Sequence, residues 1–171
     1  MTASADTTGQ TQEPRAQNWL TTLGLPWSEL TATQAYSVLR LRSQIFVVEQ
    51  GCVFLDADGA DLHPETEHYF HADNHGVSSY LRLLPRGYAD GPASSEEGRS
   101  IGRVTTRPDA RGQGLSGQLL EAAIDRHGDQ LLTLNAQERL ESWYARYGFQ
   151  ASGPVFIEDD IRHVPMRRPG R

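Results

Sequence analysis

The sequence predicts a mixed β-sheet flanked by helices, of the α/β (α+β) class. Three stretches carry that expectation. Residues 68–85 read as two strands around an Asp73-Asn74-His75-Gly76 turn. Residues 100–128 read as a β-branched strand, a glycine-rich turn and an amphipathic helix. Residues 131–148 repeat the order of strand then helix, and such alternation builds a sheet with covering helices.

The elements follow in chain order. Residues 1–18 hold Thr, Gln, Ser and Ala with almost nothing to bury, so they are expected to be a disordered leader before a single domain over 19–171. Thr31 or Thr33 can cap a helix that runs to about Glu49, because Val38, Leu41, Ile45 and Val48 recur at three and four residues. Gly51 ends it, and residues 54–67 form a polar, acidic loop. The hairpin at 68–85 comes next, with a turn composition suited to a tight reversal. Residues 86–99 mix Gly, Pro, Ser and Glu without periodicity and predict a long flexible loop. Pro108 stops the strand "SIGRVTTRP". The following helix turns Leu115, Leu119, Ala122 and Ala123 inward and ends at His127-Gly128. "LLTLN" is a buried strand, and residues 136–148 predict a helix with Leu140, Trp143, Tyr144 and Tyr147 at spacing 0, 3, 4 and 7. Residues 154–158 and 162–168 are the closing strands.

Bulk properties narrow the function classes. A net charge of −6 without a basic stripe argues against nucleic acid as a partner and leaves a cationic small substrate acceptable. No apolar run approaches the roughly 20 residues of a membrane span, and the amino terminus lacks a basic-then-apolar secretory pattern. Cys52, the single cysteine, cannot form an internal disulfide and reads as an apolar filler, so a cytoplasmic protein is expected. Asp56, Asp58, Asp61, Glu65 and Glu67 invite a calcium reading, but Gly59 falls at position 4 of that loop where an EF-hand needs glycine at 6. His63, His68, His71 and His75 make no convincing zinc set. No metal is expected, and the acids read as a solvated loop that repels anions and welcomes an amine.

The glycine-rich turn "RGQGLSG", residues 111–117, is the most informative feature. The first N–H groups of a helix lack intrahelical partners and carry partial positive charge. Glycines before it let a ligand approach the backbone without meeting a Cβ. Together they make an anion cradle suited to a diphosphate, and Arg107 and Arg111 add full positive charge. A loop that merely needs positive φ is the bland alternative. A P-loop is excluded because Gly-Lys-Ser/Thr is absent. Gly112, Gly114 and Gly117 formally match a dinucleotide fingerprint, which keeps a dinucleotide-binding oxidoreductase as an alternative, although the match sits late in the chain.

Arg111-Gly-Gln-Gly-Leu-Ser is similar to the Arg/Gln-x-x-Gly-x-Gly/Ala signature of the GNAT superfamily of acyl-CoA-dependent N-acyltransferases. "IGRVTTRPDA" resembles that family's fourth strand, and "LNAQERLESWYARYGF" its later Asn, aromatic-Tyr and Gly-Phe motif. "LRLRSQIFVVEQGCVFLDADGADLHPETEH" and "EDDIRHVPMRR" resemble the ElaA-like branch. The likeness covers roughly residues 25–168. It implies a mixed, mostly antiparallel sheet with splayed central strands, acetyl-CoA as cosubstrate, and a small amine or a protein amine as acceptor. A homodimer is compatible with it. Ser116 departs from the signature's Gly or Ala, and its N–H remains available.

Acyl transfer needs the cofactor held, the carbonyl polarised, and protons moved at the amine and the thiolate. The resemblance implies that Arg111, Gly112, Gln113, Gly114, Leu115, Ser116 and Gly117 hold the diphosphate, and that Arg103, Val104 and Thr105 expose backbone to the pantetheine arm and thioester. An N–H at Val104 or Thr105 then faces the carbonyl oxygen. Tyr144 is implied as the general acid, against a plain reading as part of a buried helix stripe. Asn135 and Gln137 are implied to touch pantetheine amides; Asn135 reads equally as a helix N-cap. The base falls among Glu49, His68, Glu158 and His163, or a water chain. An acyl-CoA-binding module without turnover is the other alternative.

Overall fold

A computed structural model describes residues 20–88 and 91–171; the expected leader over 1–18 lies outside them. The elements are β1 (Leu20–Leu25), α1 (Ala32–Arg42), β2 (Glu67–Asp73), β3 (Gly76–Leu83), β4 (Arg99–Thr106), α2 (Leu115–His127), β5 (Leu132–Gln137), α3 (Glu141–Ala145), β6 (Gln150–Ala151), β7 (Phe156–Glu158) and β8 (Ile161–Arg168). They form one sheet in the order β1-β2-β3-β4-β5-β8-β6, with β7 also paired to β8. Every pairing is antiparallel except β4 with β5. A dinucleotide fold needs a doubly wound parallel sheet. One parallel pair is not that, and the oxidoreductase reading falls.

Strand alternation decides what each helix covers, because successive side chains point to opposite faces. Phe70, Val77 and Tyr80 pack with Val38 and Leu41 of α1 and with Ile45 just beyond it. Tyr69, Leu81, Leu83 and Ile101 pack instead with Leu119, Leu120, Ala123 and Ile124 of α2. Thr31 caps α1 with a full capping box to Gln34. The predicted helix does reach Glu49, but residues Ser43–Glu49 widen into a π-helical turn before Gly51 leaves with φ 70°.

One strand goes unpredicted, and the expectations for the last helix and the acidic loop are corrected. β1 lacks a strong pattern of its own and forms because β2 offers it an edge. The helix expected over 136–148 is cut to α3, because β5 extends through Gln137 against β8 and a 3₁₀ turn fills Glu138–Leu140. Asn135 is therefore a strand residue and caps nothing. The acidic loop is only partly solvated: Asp58 and Glu65 are exposed, but Asp56 and Asp61 are buried. Arg42, fully buried, donates to the carboxylates of Asp56 and Asp61 at 2.8 and 2.7 Å, and Arg82 to Asp58 and Asp61 at 2.7 and 2.9 Å.

Burial opposes ionisation of Asp58 and Asp61, but hydrogen bonds and charge from Arg82 and Arg42 outweigh it and hold both below the usual carboxylate range. A carboxylate whose native value is depressed gives its full stabilisation above the unfolded pKa, about 4, and loses it as pH falls through the native value. Stability measured by urea unfolding is therefore expected to drop below about pH 4. Asp61→Asn strips Arg42 and Arg82 of a shared partner, which is expected to cost about 3–5 kcal/mol at neutral pH and to make the acid limb shallower.

Candidate active site

β4 and β5 pair only at Arg99 with Leu132 and Ser100 with Thr133, and then separate. On its other side β4 carries a bulge: Gly102 faces Arg82 and Thr105 faces Tyr80, so three steps on β4 match two on β3. Arg103 absorbs the extra residue at φ 55°. A non-glycine residue there costs on the order of 1–2 kcal/mol. Ion pairs from its guanidinium to Asp56 at 2.7 Å and Asp58 at 3.2 Å hold it, with the Phe54 ring beneath at 4.9 Å. Arg103 and Val104 fall outside the register with either neighbouring strand.

A cleft of about 1200 Å³ fills the gap. Val104 and Thr105 border it from β4, and Asn135 and Gln137 from β5. At one end stands the start of α2. Its first internal backbone bond runs from the Gln118 N–H to the Gly114 carbonyl, and no side chain caps it. Gly112 and Gly114 adopt φ 78° and 75°, and a Cβ on either would meet no atom within 4 Å. The N–H groups of Leu115, Ser116 and Gly117 thus lack intrahelical partners beside an open surface. The Ser116 hydroxyl is tied to Thr106 and Ser79 at 2.6 and 3.1 Å, which fastens the helix start to β4 and β3 and leaves its N–H free. Gly117 has a different reason to be small: Tyr147 crosses there, and a Cβ would collide with its hydroxyl.

The remaining candidates divide. Tyr144, 6% exposed, borders the cleft between Trp143 and Phe149, and burial raises its phenol well above the ordinary value of 10.0. His163 also borders it, stacked on Phe156. Its Nδ1 lies 2.9 Å from the Ile161 carbonyl, which only accepts, so Nδ1 carries a proton and the lone pair of a neutral ring would sit on Nε2. Glu49 and Glu158 line the mouth. Three expectations fail by position. His68 is fully buried outside the cleft, held by the Tyr80 hydroxyl at 2.7 Å and the Asp61 carbonyl at 3.2 Å, and burial lowers its pKa to about 4. Gln113 is exposed and does not border the cleft. Arg107 is neutralised by Asp73 and Asp109 and does not border the cleft. Arg103 does border it, with its backbone outside the strand register and its side chain committed to the aspartates. Sequence reasoning missed Gln50, whose carboxamide accepts from Gln137 at 3.2 Å; an 87-residue separation leaves no local signal for it.

The acetyltransferase (GNAT) domain family matches residues 69–169. A UPF0039 protein of Mycobacterium tuberculosis is 43% identical, covering 83% of this chain and 88% of its own. Protein ElaA of Escherichia coli is 35% identical over 82% of this chain and 91% of its own. The crystal structure of an acyl-CoA N-acyltransferase from Pseudomonas aeruginosa is similar at TM-score 0.75 and 38% identity, covering 90% of this chain and 99% of that one. This chain belongs to the GNAT acetyltransferase family. Within it, the chain resembles the ElaA-like branch.

GNAT proteins take acyl-CoA as cosubstrate, and two buried atoms test whether this cleft suits one. Thr105 Oγ1 and Asn135 Oδ1 are buried on the two diverging strands, both residues border the cleft, and neither atom has a hydrogen-bond partner. A buried polar atom left unpaired costs about 1–3 kcal/mol, and a guest carrying its own donors and acceptors would relieve that cost once the two side chains turn toward the cleft. Pantetheine amides supply both. Among the described residues, no group of three or more His, Cys, Asp or Glu is placed to hold a metal ion, and no helix is long and apolar enough to cross a membrane.

The collision at Gly117 yields a test of the cradle's architecture. Gly117→Ala is expected to lower stability by about 1–3 kcal/mol in urea unfolding. Tyr147→Phe in that background removes the colliding hydroxyl, leaves the ring carbon at an ordinary 3.5 Å, and is expected to restore most of the loss.

Proposed function

We propose that the chain is an N-acetyltransferase that moves an acetyl group from acetyl-CoA to a primary amine by direct attack in a ternary complex. One observation carries this reading: the uncapped start of α2 opens onto a cleft that continues between β4 and β5 to Tyr144. Acetyl is the acyl group that demands the least space.

Arg111, Gly112 and Gly114 and the N–H groups of Leu115, Ser116 and Gly117 hold the diphosphate. Thr105 and Asn135 receive the pantetheine arm, joined by Gln137. The bound coenzyme supplies an acyl group activated as a thioester. The N–H of Val104, outside the strand register, faces the carbonyl oxygen as its charge grows; such a donor is worth about 3 kcal/mol. A bond forms from the amine nitrogen to the acyl carbon as the carbon–sulfur bond breaks. Tyr144 gives its proton to the departing thiolate, and its raised pKa keeps it protonated throughout the working range. His163 Nε2 takes the amine's proton, directly or through water, because the ring borders the cleft with its Nδ1 fixed on the Ile161 carbonyl.

Calorimetry with acetyl-CoA and CoA is the first test, and no heat at millimolar ligand rejects the reading. Binding without thiol release across a panel of amines leaves a sensing module instead. Tyr144→Phe is expected to lower kcat by about 10²–10⁴-fold with little change in acetyl-CoA affinity. Because burial pushes the phenol up, the rate is expected to rise as the acceptor loses its proton and to show no decline before about pH 10, followed by thiol release.

A further inference from the structure

Two consecutive residues reach opposite walls of the cleft. Glu49 accepts from Arg111 Nη2 with both carboxylate oxygens, at 2.7 and 2.8 Å. Gln50 Oε1 accepts from Gln137 Nε2 at 3.2 Å. The π-helical turn makes this reach possible. The Gln50 N–H bonds to the Ile45 carbonyl five residues back at 2.9 Å, and the wider turn sets Glu49 and Gln50 at the end of a segment whose Ile45 and Phe46 also border the cleft.

The chemical match is close. Glu49 sets an anion on the arginine that the diphosphate needs. Gln50 sets a carbonyl oxygen on the amide that pantetheine needs. The other polar contacts of those partners lie to the side: Arg111 Nε donates to the Thr106 carbonyl at 3.2 Å, and Gln137 Oε1 accepts from Arg139 at 2.7 Å. We propose that Glu49 and Gln50 act as an internal occupant of the coenzyme seat, bridging cradle to β5 in the free protein and displaced when acyl-CoA binds. The proposal rests on the acyltransferase reading above.

An occupant of this kind must be weak enough to leave. The side chains of Glu49 and Arg111 are 40% and 48% exposed, and exposed ion pairs contribute little. The consequence runs against ordinary expectation, because removing a native contact should strengthen ligand binding.

The experiment is calorimetry of the full chain with CoA, with ADP as the diphosphate fragment and with pantetheine as the amide fragment. Glu49→Gln is expected to tighten CoA and ADP by about 2- to 5-fold and to leave pantetheine unchanged. Gln50→Ala is expected to tighten CoA and pantetheine and to leave ADP unchanged. In an Arg111→Ala background the Glu49→Gln gain should vanish. Thermal melts establish folding, with Glu49→Ala as the second variant should Glu49→Gln fail to fold. Equal or weaker CoA binding by both Glu49 variants, or a gain that survives Arg111→Ala, overturns the proposal. Wild-type protein that binds no CoA overturns the acyltransferase reading instead, so the two failures are separable.

Discussion

β4 and β5 share two paired positions and then part, and every candidate functional group depends on that separation. A strand in mid-sheet normally spends its backbone N–H and C=O groups on its neighbours. Here the inner edges of both strands are released over the cleft. The sheet survives because each strand is secured on its outer side, β4 to β3 and β5 to β8 over six paired positions. Beneath the gap, α2 packs its apolar stripe against residues of both halves, including Leu81 and Ile101 on one side and Leu132 and Leu134 on the other. The same helix therefore splints the divided sheet and presents its unpaired amino terminus at the cleft.

A second constraint shapes the opposite wall. Three arginines from α1, β3 and the β4 bulge converge on Asp56, Asp58 and Asp61. The six formal charges sum to zero, so the cluster adds no net charge to the cleft wall. Its effect is geometric. Buried ion pairs are a doubtful source of net stability, since desolvation offsets the attraction. They do penalise any arrangement that breaks them. Here that penalty keeps Arg103 in the left-handed region and so keeps Val104 out of the strand register.

The histidines show how neighbours rather than residue type assign roles. His68 and His163 both stand in strands and both lie in stretches that carry the family likeness. His68 has each ring nitrogen engaged and its charged form suppressed by burial, so it is part of the scaffold. His163 has one nitrogen fixed by a backbone carbonyl, and its ring borders the cleft. Gly117 teaches the same lesson, since its missing side chain accommodates Tyr147 rather than a ligand.

Local signals were legible wherever the physics is local. The N-cap at Thr31, one of the two candidates, the hairpin turn at 73–76, the positive-φ glycines before α2 and the amphipathic character of α2 all follow from neighbours within a few residues. The family motif carried the fold class and the cradle further than periodicity alone allowed. Contacts between distant segments were not legible. β1 needed the edge of β2, β5 ran on through Gln137 because β8 paired with it, and the acids at 56–61 were neutralised by arginines brought from three other elements. Sequence by itself determined which short pieces turn, cap and coil, since those preferences are set by each residue's own backbone and nearest neighbours. Only the tertiary structure decided which charges cancel, which histidine keeps a free nitrogen and which residues share the cleft, because those outcomes depend on burial and on partners tens of residues away.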